Sequence, residues 1–445
     1  MTLNAIDSKL SYLVNSTKFS AFMLLCLFGY ALLKSASRVN GDVFQSFFVF
    51  GTLLALYVER KHIFKDKMLI SLFLALILQI LSWINATIQI PQLAQATPDF
   101  GTLANMFFFI FIAYWLKGQS KSVYLLWVMM IIGFILSFYI HSNNFTQDLL
   151  NGSHGQRIDF NVNNAQHPAL WSGIAFILLS YFSIKHSYLA FTTNKKKKHL
   201  LIVSGLTALN LFFVFILFST QTRQVFLGLI IASIIGTISY VLIQKNKPSL
   251  KLILPLILVS LIALFSVSNI PSLEKRTVNE ENTYEAVLSG DINKVPYNSS
   301  GIRIHIWYEA LGWIKERPIL GSDQDVRDDV IYLSTRIPKH VRNTINHLHN
   351  SFVEVTLSYG ILGLAIILFM FYWLLHSTAK LAPLGTFNEA RLIALLFLVY
   401  WFVVNNFESY LFSTTGLLVH NIMFGSIYTF YLTEQLKNNK NETAI

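Results

Sequence analysis

Twelve apolar runs, each close to the length needed to cross a bilayer, constrain this chain more than any other feature. A helix needs about 17–25 mostly apolar residues to cross the ~30 Å hydrocarbon layer, where its backbone must satisfy its own hydrogen bonds. The runs lie near residues 18–34, 43–58, 68–86, 101–116, 122–140, 167–185, 200–219, 224–243, 252–269, 351–375, 392–408 and 412–433. The sequence therefore predicts an all-α, polytopic integral membrane protein with about 12 transmembrane helices.

The distribution of charge supports this class and predicts an orientation. Only 13% of the 445 residues are charged, against about 25% in soluble proteins. A net charge of +11 could indicate nucleic-acid binding, but the cations lie mostly in short loops between apolar runs. Twenty Lys and Arg fall in the loops and tails predicted to lie inside, against four in the short outer loops. By the positive-inside rule, both termini are predicted to be cytoplasmic, and no nucleic-acid partner is expected.

The long segment 270–350 is the one place predicted to fold outside the membrane. It carries ten Lys and Arg and eleven Asp and Glu, so it is nearly neutral. Within it, residues 301–317 are predicted to form an amphipathic helix, with Ser299 or Ser300 as its N-cap and Pro318 beyond its end. The predicted organisation is 1–269 with spans one to nine, 270–350 as an outer loop subdomain containing amphipathic helices, and 351–445 with spans ten to twelve and a cytoplasmic tail.

Three arginines near the predicted outer boundary are candidate ligands for an anion. Arg223 lies between two apolar runs with almost no loop to hold it, so function is a natural hypothesis, although an interfacial arginine reaching the headgroups is the alternative. Arg303 begins the amphipathic helix, one turn before Trp307, a candidate substrate contact; a solvated surface arginine is the competing interpretation. Arg157 is the sole cation of its outer loop. Because guanidinium binds phosphate oxygens in a bidentate manner, convergence of the three would suit a diphosphate.

Two histidines, His347 and His349, precede the tenth predicted span and are followed by Asn350. An imidazole can take a proton from a hydroxyl near neutral pH, although an interfacial histidine is the competing interpretation. The acidic stretch 323–329 resembles the metal-binding pair of nucleotide-sugar transferases, but a solvated patch is favoured. The sequence lacks the motifs GxxxxGK[ST], HExxH, CxxC and GxSxG, so neither a metal nor a cofactor is expected.

The histidine motif and three others resemble the O-antigen ligase family. His349-Asn350, followed by nine residues, Gly360, two residues and Gly363, fits the family pattern His-Asn/Ser/Gln-x9-Gly-x-x-Gly/Thr/Tyr. The other stretches similar to the family are Gln156–Phe160, Thr220–Arg223 and Ser300–Arg303 with Tyr308–Leu311 and Pro318. The four motifs occur in the family order, and the resemblance covers most of the chain.

The resemblance implies a metal- and ATP-independent, inverting glycosyl transfer at the periplasmic face of the bacterial inner membrane. The implied donor is a polysaccharide on undecaprenyl diphosphate, and the acceptor is a sugar hydroxyl of lipid A–core, which makes the outer loop periplasmic. The implied partners are these two glycolipids and membrane lipids; no protein partner is identified.

The resemblance also suggests roles for the candidate residues. Arg223 and Arg303 would bind the diphosphate with help from Arg157, and His349 would be the base. His347 and Asn350 would orient the base or the sugar. A family acidic position maps loosely onto Glu408.

Three rival functions stay open. An O-antigen polymerase would use the same donor with another lipid-linked glycan as acceptor, and a protein O-oligosaccharyltransferase would use a protein. A flippase or transporter of an anionic lipid-linked glycan would place charged residues deep within its spans and break helices near the midplane. The candidate residues cluster instead at the predicted outer boundary, which favours chemistry at the surface.

Overall fold

The computed structural model describes residues 3–243, 282–381 and 389–443, and the regular structure within these ranges is entirely helical. The prediction of an all-α protein is therefore confirmed for this part of the chain. The ninth predicted span, 252–269, lies outside the described residues.

Helices occur throughout the described part of the chain. They are α1 (Leu3–Asn15), α2 (Thr17–Leu33), α3 (Arg38–Val58), α4 (Arg60–Ile63), α5 (Lys67–Gln89), α6 (Thr102–Asn105), α7 (Phe109–Leu116), α8 (Ser120–His141), α9 (Phe145–Ser153), α10 (Gln166–Thr192), α11 (Lys196–Thr220), α12 (Arg223–Ile243), α13 (282–288), α14 (Ser299–Glu316), α15 (Val326–Tyr332), α16 (Lys339–Arg342), α17 (Ser351–Lys380), α18 (Glu389–Asn405) and α19 (Thr414–Thr443). Short 3-10 turns lie at Ile292–Lys294 and Tyr410–Phe412.

Six of the described helices are long and apolar enough to cross a membrane: α3, α5, α8, α10, α11 and α17. A seventh span results if Asp7–Asn15 and α2, which meet at a bend of 61°, are taken as one. Thr102–Leu116 and Arg223–Ser239 are apolar but shorter. The protein is thus a multi-pass helical membrane protein, and the full count of twelve spans stays a prediction.

The helix is interrupted between α6 and α7, and side chains of another helix form hydrogen bonds with the backbone groups at this break. The backbone N–H of Phe109 donates to Asn421 Oδ1 at 2.9 Å, and Asn421 Nδ2 donates to the carbonyl of Asn105 at 3.1 Å. His420 Nε2 lies 2.8 Å from the carbonyl oxygen of Met106. Side chains of α19 therefore replace the hydrogen bonds that the break removes, as a lipid environment requires.

The described part of the outer segment, residues 282–350, packs in an apolar core that also includes residues of α5 and α17. Asn298 caps α14 by accepting the Gly301 N–H, so the expected cap at Ser299 or Ser300 is wrong; α14 begins at Ser299 itself. Ile306 and Ala310 of α14 are fully buried in this core together with residues of α15 and α17. The helix α14, which the sequence predicts to be amphipathic, thus packs against neighbouring helices through Ile306 and Ala310.

The outer segment is attached to the bundle at a break in α17. Gly360 has φ 64° and ψ −166° in the middle of the helix. Three backbone hydrogen bonds fill the break: Ile361 N–H to Pro318 O at 2.8 Å, Ser322 N–H to Leu357 O at 2.9 Å and Asp323 N–H to Ser358 O at 2.9 Å. The chain after α14 is therefore held against the same helix that follows the histidine motif.

Replacing Gly360 with alanine is expected to lower the thermal unfolding midpoint of the detergent-purified protein. A Cβ there would lie 2.1 Å from the carbonyl oxygen of Ile319, and φ is positive. We therefore expect the free energy of unfolding to fall by about 1–3 kcal/mol. Gly312→Ala is the matched control, since that glycine is helical and faces open space. Equal midpoints for Gly360→Ala and the wild type would contradict this account of the break.

Candidate active site

One cavity brings together the three predicted arginines and the predicted base. Its volume is about 610 Å³, and its wall includes Arg157, Arg223, Arg303 and His349. These side chains come from the loop before α10, the start of α12, the second turn of α14 and the loop before α17. We call this space the arginine cavity.

Arg157 and Arg223 are neighbours because their two loops are tied to one another. Gln221, with φ 52° in the left-handed region, ends α11 and turns the chain directly into α12, which begins at Arg223. Arg157 Nε donates to the carbonyl of Thr220 at 3.1 Å, and Gln221 Nε2 donates to the carbonyl of Gly155 at 2.9 Å. The two loops therefore present both guanidinium groups to the same space.

The helix α14 supplies Arg303 from its second turn and Trp307 from its third. Trp307 Nε1 donates to the carbonyl of Leu348 at 2.8 Å, between the two histidines of the motif. This bond gives Trp307 a supporting role beneath the histidine loop. It is not among the described residues that line the arginine cavity, and its contact with substrate stays a prediction.

A buried carboxylate lies between the two histidines. Glu408 is only 2% exposed, and its Oε2 lies 3.1 Å from His349 Nδ1, within hydrogen-bond geometry. Its Oε1 lies 2.7 Å from His347 Nε2, an ion-pair distance outside hydrogen-bond alignment. If Nδ1 of His349 donates to Glu408, Nε2 of the same ring is left as a proton acceptor. His349 also holds φ 53°, a backbone strain that is concentrated at functional sites.

The cluster separates the protonation states of its members. Burial lowers the pKa of His349, and the Glu408 carboxylate offsets this only in part, so the ring is neutral near pH 7. Burial has the same effect on His347, but the interaction with Glu408 outweighs it and the pKa of His347 is raised. Burial alone would raise the pKa of Glu408, yet the two imidazoles hold that pKa far below its ordinary value. The result is a neutral base beside a permanent anion.

Asn350 and Glu354 hold the histidine loop at the start of α17. Asn350 Oδ1 accepts the N–H groups of the second and third helical residues, at 3.0 and 3.1 Å, so it is the helix cap. The fully buried Glu354 accepts the Leu348 N–H at 2.6 Å and the Ser409 hydroxyl. Glu354 therefore joins the loop of the histidines to the loop of Glu408. It was not singled out from the sequence, although a carboxylate within an apolar run is an informative signal.

The two histidines and Glu408 are also the one group of three described residues whose donor atoms could share a metal ion. Their candidate ligand atoms lie within 4.8 Å of one another, and two imidazoles with a carboxylate form a common zinc donor set. In the structure these atoms contact one another, as in a histidine–carboxylate acid–base pair.

Part of the chain is similar to a known protein family. Residues 208–368 match a family model described as O-Antigen ligase, and this region contains Arg223, Arg303 and His349. The chain is also 27% identical over 186 residues to an uncharacterized protein of Haemophilus influenzae (strain ATCC 51907 / DSM 11121 / KW20 / Rd). That match covers 39% of this chain and 43% of the relative, less than half of either. The family match over residues 208–368 supports membership of the O-antigen ligase/polymerase superfamily.

Proposed function

We propose that this protein is an O-antigen ligase, a glycosyltransferase that moves a polysaccharide from undecaprenyl diphosphate to a sugar hydroxyl of lipid A–core. The observation that carries the proposal is the single cavity lined by Arg157, Arg223, Arg303 and His349. It combines groups that bind a diphosphate with a group that accepts a proton. We place the site at the periplasmic face of the inner membrane, with both termini in the cytoplasm, on the basis of the loop charges.

The arginines would stabilise the leaving group. As the bond between the anomeric carbon and the diphosphate breaks, negative charge grows on the phosphate oxygens. Fixed guanidinium groups stabilise that charge without needing to reorganise. The first turn of α14 adds to this effect, since Ser299 and Ser300 line the cavity at a helix N-terminus. Because the glycosyl diphosphate is already activated, ATP is not required.

The apolar part of the same cavity suits a lipid carrier. Phe226, Leu227 and Ile230 lie along α12, beyond Arg223, and line the cavity. Leu227 is 41% exposed in the isolated chain. A polyprenyl chain lying along this helix would leave its diphosphate at the arginines.

The base would be His349. Its Nε2 takes the proton of the acceptor hydroxyl while the oxygen bonds to the anomeric carbon and the diphosphate departs with the bonding electrons. One displacement inverts the anomeric centre. The imidazolium that forms is stabilised by Glu408, whose carboxylate contacts Nδ1.

Arg223→Lys, Arg303→Lys and His349→Ala are each expected to reduce the transfer rate by about 10²–10³-fold. Lysine keeps the charge but loses the bidentate geometry, and alanine removes the proton acceptor. The measurement is the initial rate of glycan transfer to lipid A–core by purified protein. Arg336→Lys is the control, because Arg336 lies in the same segment and pairs with Glu309 at 3.1 Å, away from the cavity. Wild-type rates in folded variants would refute the assignment.

Glu408→Gln is expected to move the acid limb of the pH–rate profile to lower pH and to lower the plateau rate. His349 is a base only when neutral, so the rate rises as the pH passes its pKa. The Glu408 carboxylate raises the pKa of His349, whereas burial and the charges of His347 and Arg303 lower it. Removing the carboxylate therefore lets the pKa of His349 fall. The profile of kcat/KM against pH is the measurement, and an unchanged acid limb would show that another group titrates.

An O-antigen polymerase is the rival function that these variants leave open. The phenotype of a strain that lacks the protein distinguishes it from a ligase. A ligase-null strain should accumulate long polymer on the lipid carrier. A polymerase-null strain should instead cap the core with a single repeat.

A further inference from the structure

A second cavity lies beside the arginine cavity, on the other side of the histidine pair. Its volume is about 430 Å³, within the range of about 300–1,000 Å³ typical of ligand pockets. Its wall includes Asn163, Asn164, Asn346, Arg327 and Phe412. We call it the asparagine cavity.

The two cavities come close to one another at the histidine pair and at the start of α10. His349 lines the arginine cavity and His347 lines the asparagine cavity, and their ring centroids are 4.0 Å apart. At the start of α10, Gln166 lines the first cavity and His167 lines the second. A molecule that lies against His347 in the asparagine cavity is therefore close to His349, the group that would remove its proton.

The charges around the asparagine cavity largely offset one another. Arg327 has Nη1 3.9 Å from Glu354 Oε2 and Nε 3.6 Å from Asp328 Oδ1. His347 is paired with Glu408 at 2.7 Å. Each cation that lines this cavity thus has an anion close by, so the cavity suits an uncharged ligand better than a phosphate.

The remaining groups suit a carbohydrate. Each asparagine amide both donates and accepts hydrogen bonds, which matches neighbouring sugar hydroxyls. The Phe412 ring supplies an apolar surface for the C–H face of a sugar ring. Its centroid lies 5.5 Å from the guanidinium carbon of Arg327. A polar cavity with one aromatic wall fits a sugar better than it fits a lipid chain.

We propose that the asparagine cavity binds the sugar of the acceptor glycan that receives the transferred polysaccharide. The inference rests on the proposed function, because an in-line displacement needs the attacking hydroxyl and the departing diphosphate on opposite sides of the anomeric carbon. The acceptor hydroxyl reaches across the histidine pair and gives its proton to His349. Its oxygen then replaces the diphosphate, which stays among the arginines.

Two substitutions test this site without touching the base. Asn163→Gly removes an amide at a residue with φ 54°, which glycine adopts readily, and Phe412→Leu removes the ring but keeps an apolar side chain. Each is expected to raise the KM for lipid A–core by about 3–10-fold, the value of one or two contacts, with the KM for the lipid-linked donor unchanged. Asn343→Ala is the control, because Asn343 is exposed on the outer segment and is not among the residues that line the asparagine cavity. An unchanged acceptor KM, or an equal rise in the donor KM, would overturn the inference.

A binding measurement separates this inference from the proposed function. Saturation-transfer NMR would use two soluble probes, the delipidated core oligosaccharide and an O-antigen repeat oligosaccharide, with wild-type, His349→Ala and Phe412→Leu proteins. Binding of either probe to the wild type and to His349→Ala, and weaker binding to Phe412→Leu, supports a carbohydrate site whatever the catalytic result. If neither probe binds, or if Phe412→Leu binds both normally, the site is wrong even where His349→Ala abolishes transfer.

Discussion

The candidate site depends on one buried anion. A carboxylate that is 2% exposed, as Glu408 is, would be costly without partners close at hand. The two imidazoles supply them, and their positions are fixed by the same contact. Glu408 thereby favours the tautomer of His349 in which Nε2 is left as the proton acceptor. The chemistry that we propose follows from this contact.

The fold holds the two loops of the cluster at a fixed separation. Glu354, near the start of α17, binds the backbone of the histidine loop and the hydroxyl next to Glu408. Trp307 supports the histidine loop from α14, the helix that also carries Arg303. The break at Gly360 holds the chain after α14 against α17. Helices far apart in sequence thus position the base and one arginine together.

The sequence was sufficient for features that depend on local pattern and composition. Apolar run length predicts the helical class, and the His-Asn motif with its downstream glycines predicts the loop and the helix that follow. Features that depend on tertiary contact were harder to predict. Glu408 is 59 residues from His349, and only packing brings them together. The cap of α14 was misplaced because Asn298 stands beside two serines that can also cap a helix.

The account is tested most directly by the product that the purified protein forms by itself. Wild-type protein would be mixed with a defined glycan on undecaprenyl diphosphate and with lipid A–core, without nucleotide and with a chelator of divalent metals. The account predicts that the glycan is joined to lipid A–core with an inverted anomeric linkage. A glycan that stays or grows on the carrier, or a reaction that the chelator abolishes, would contradict it.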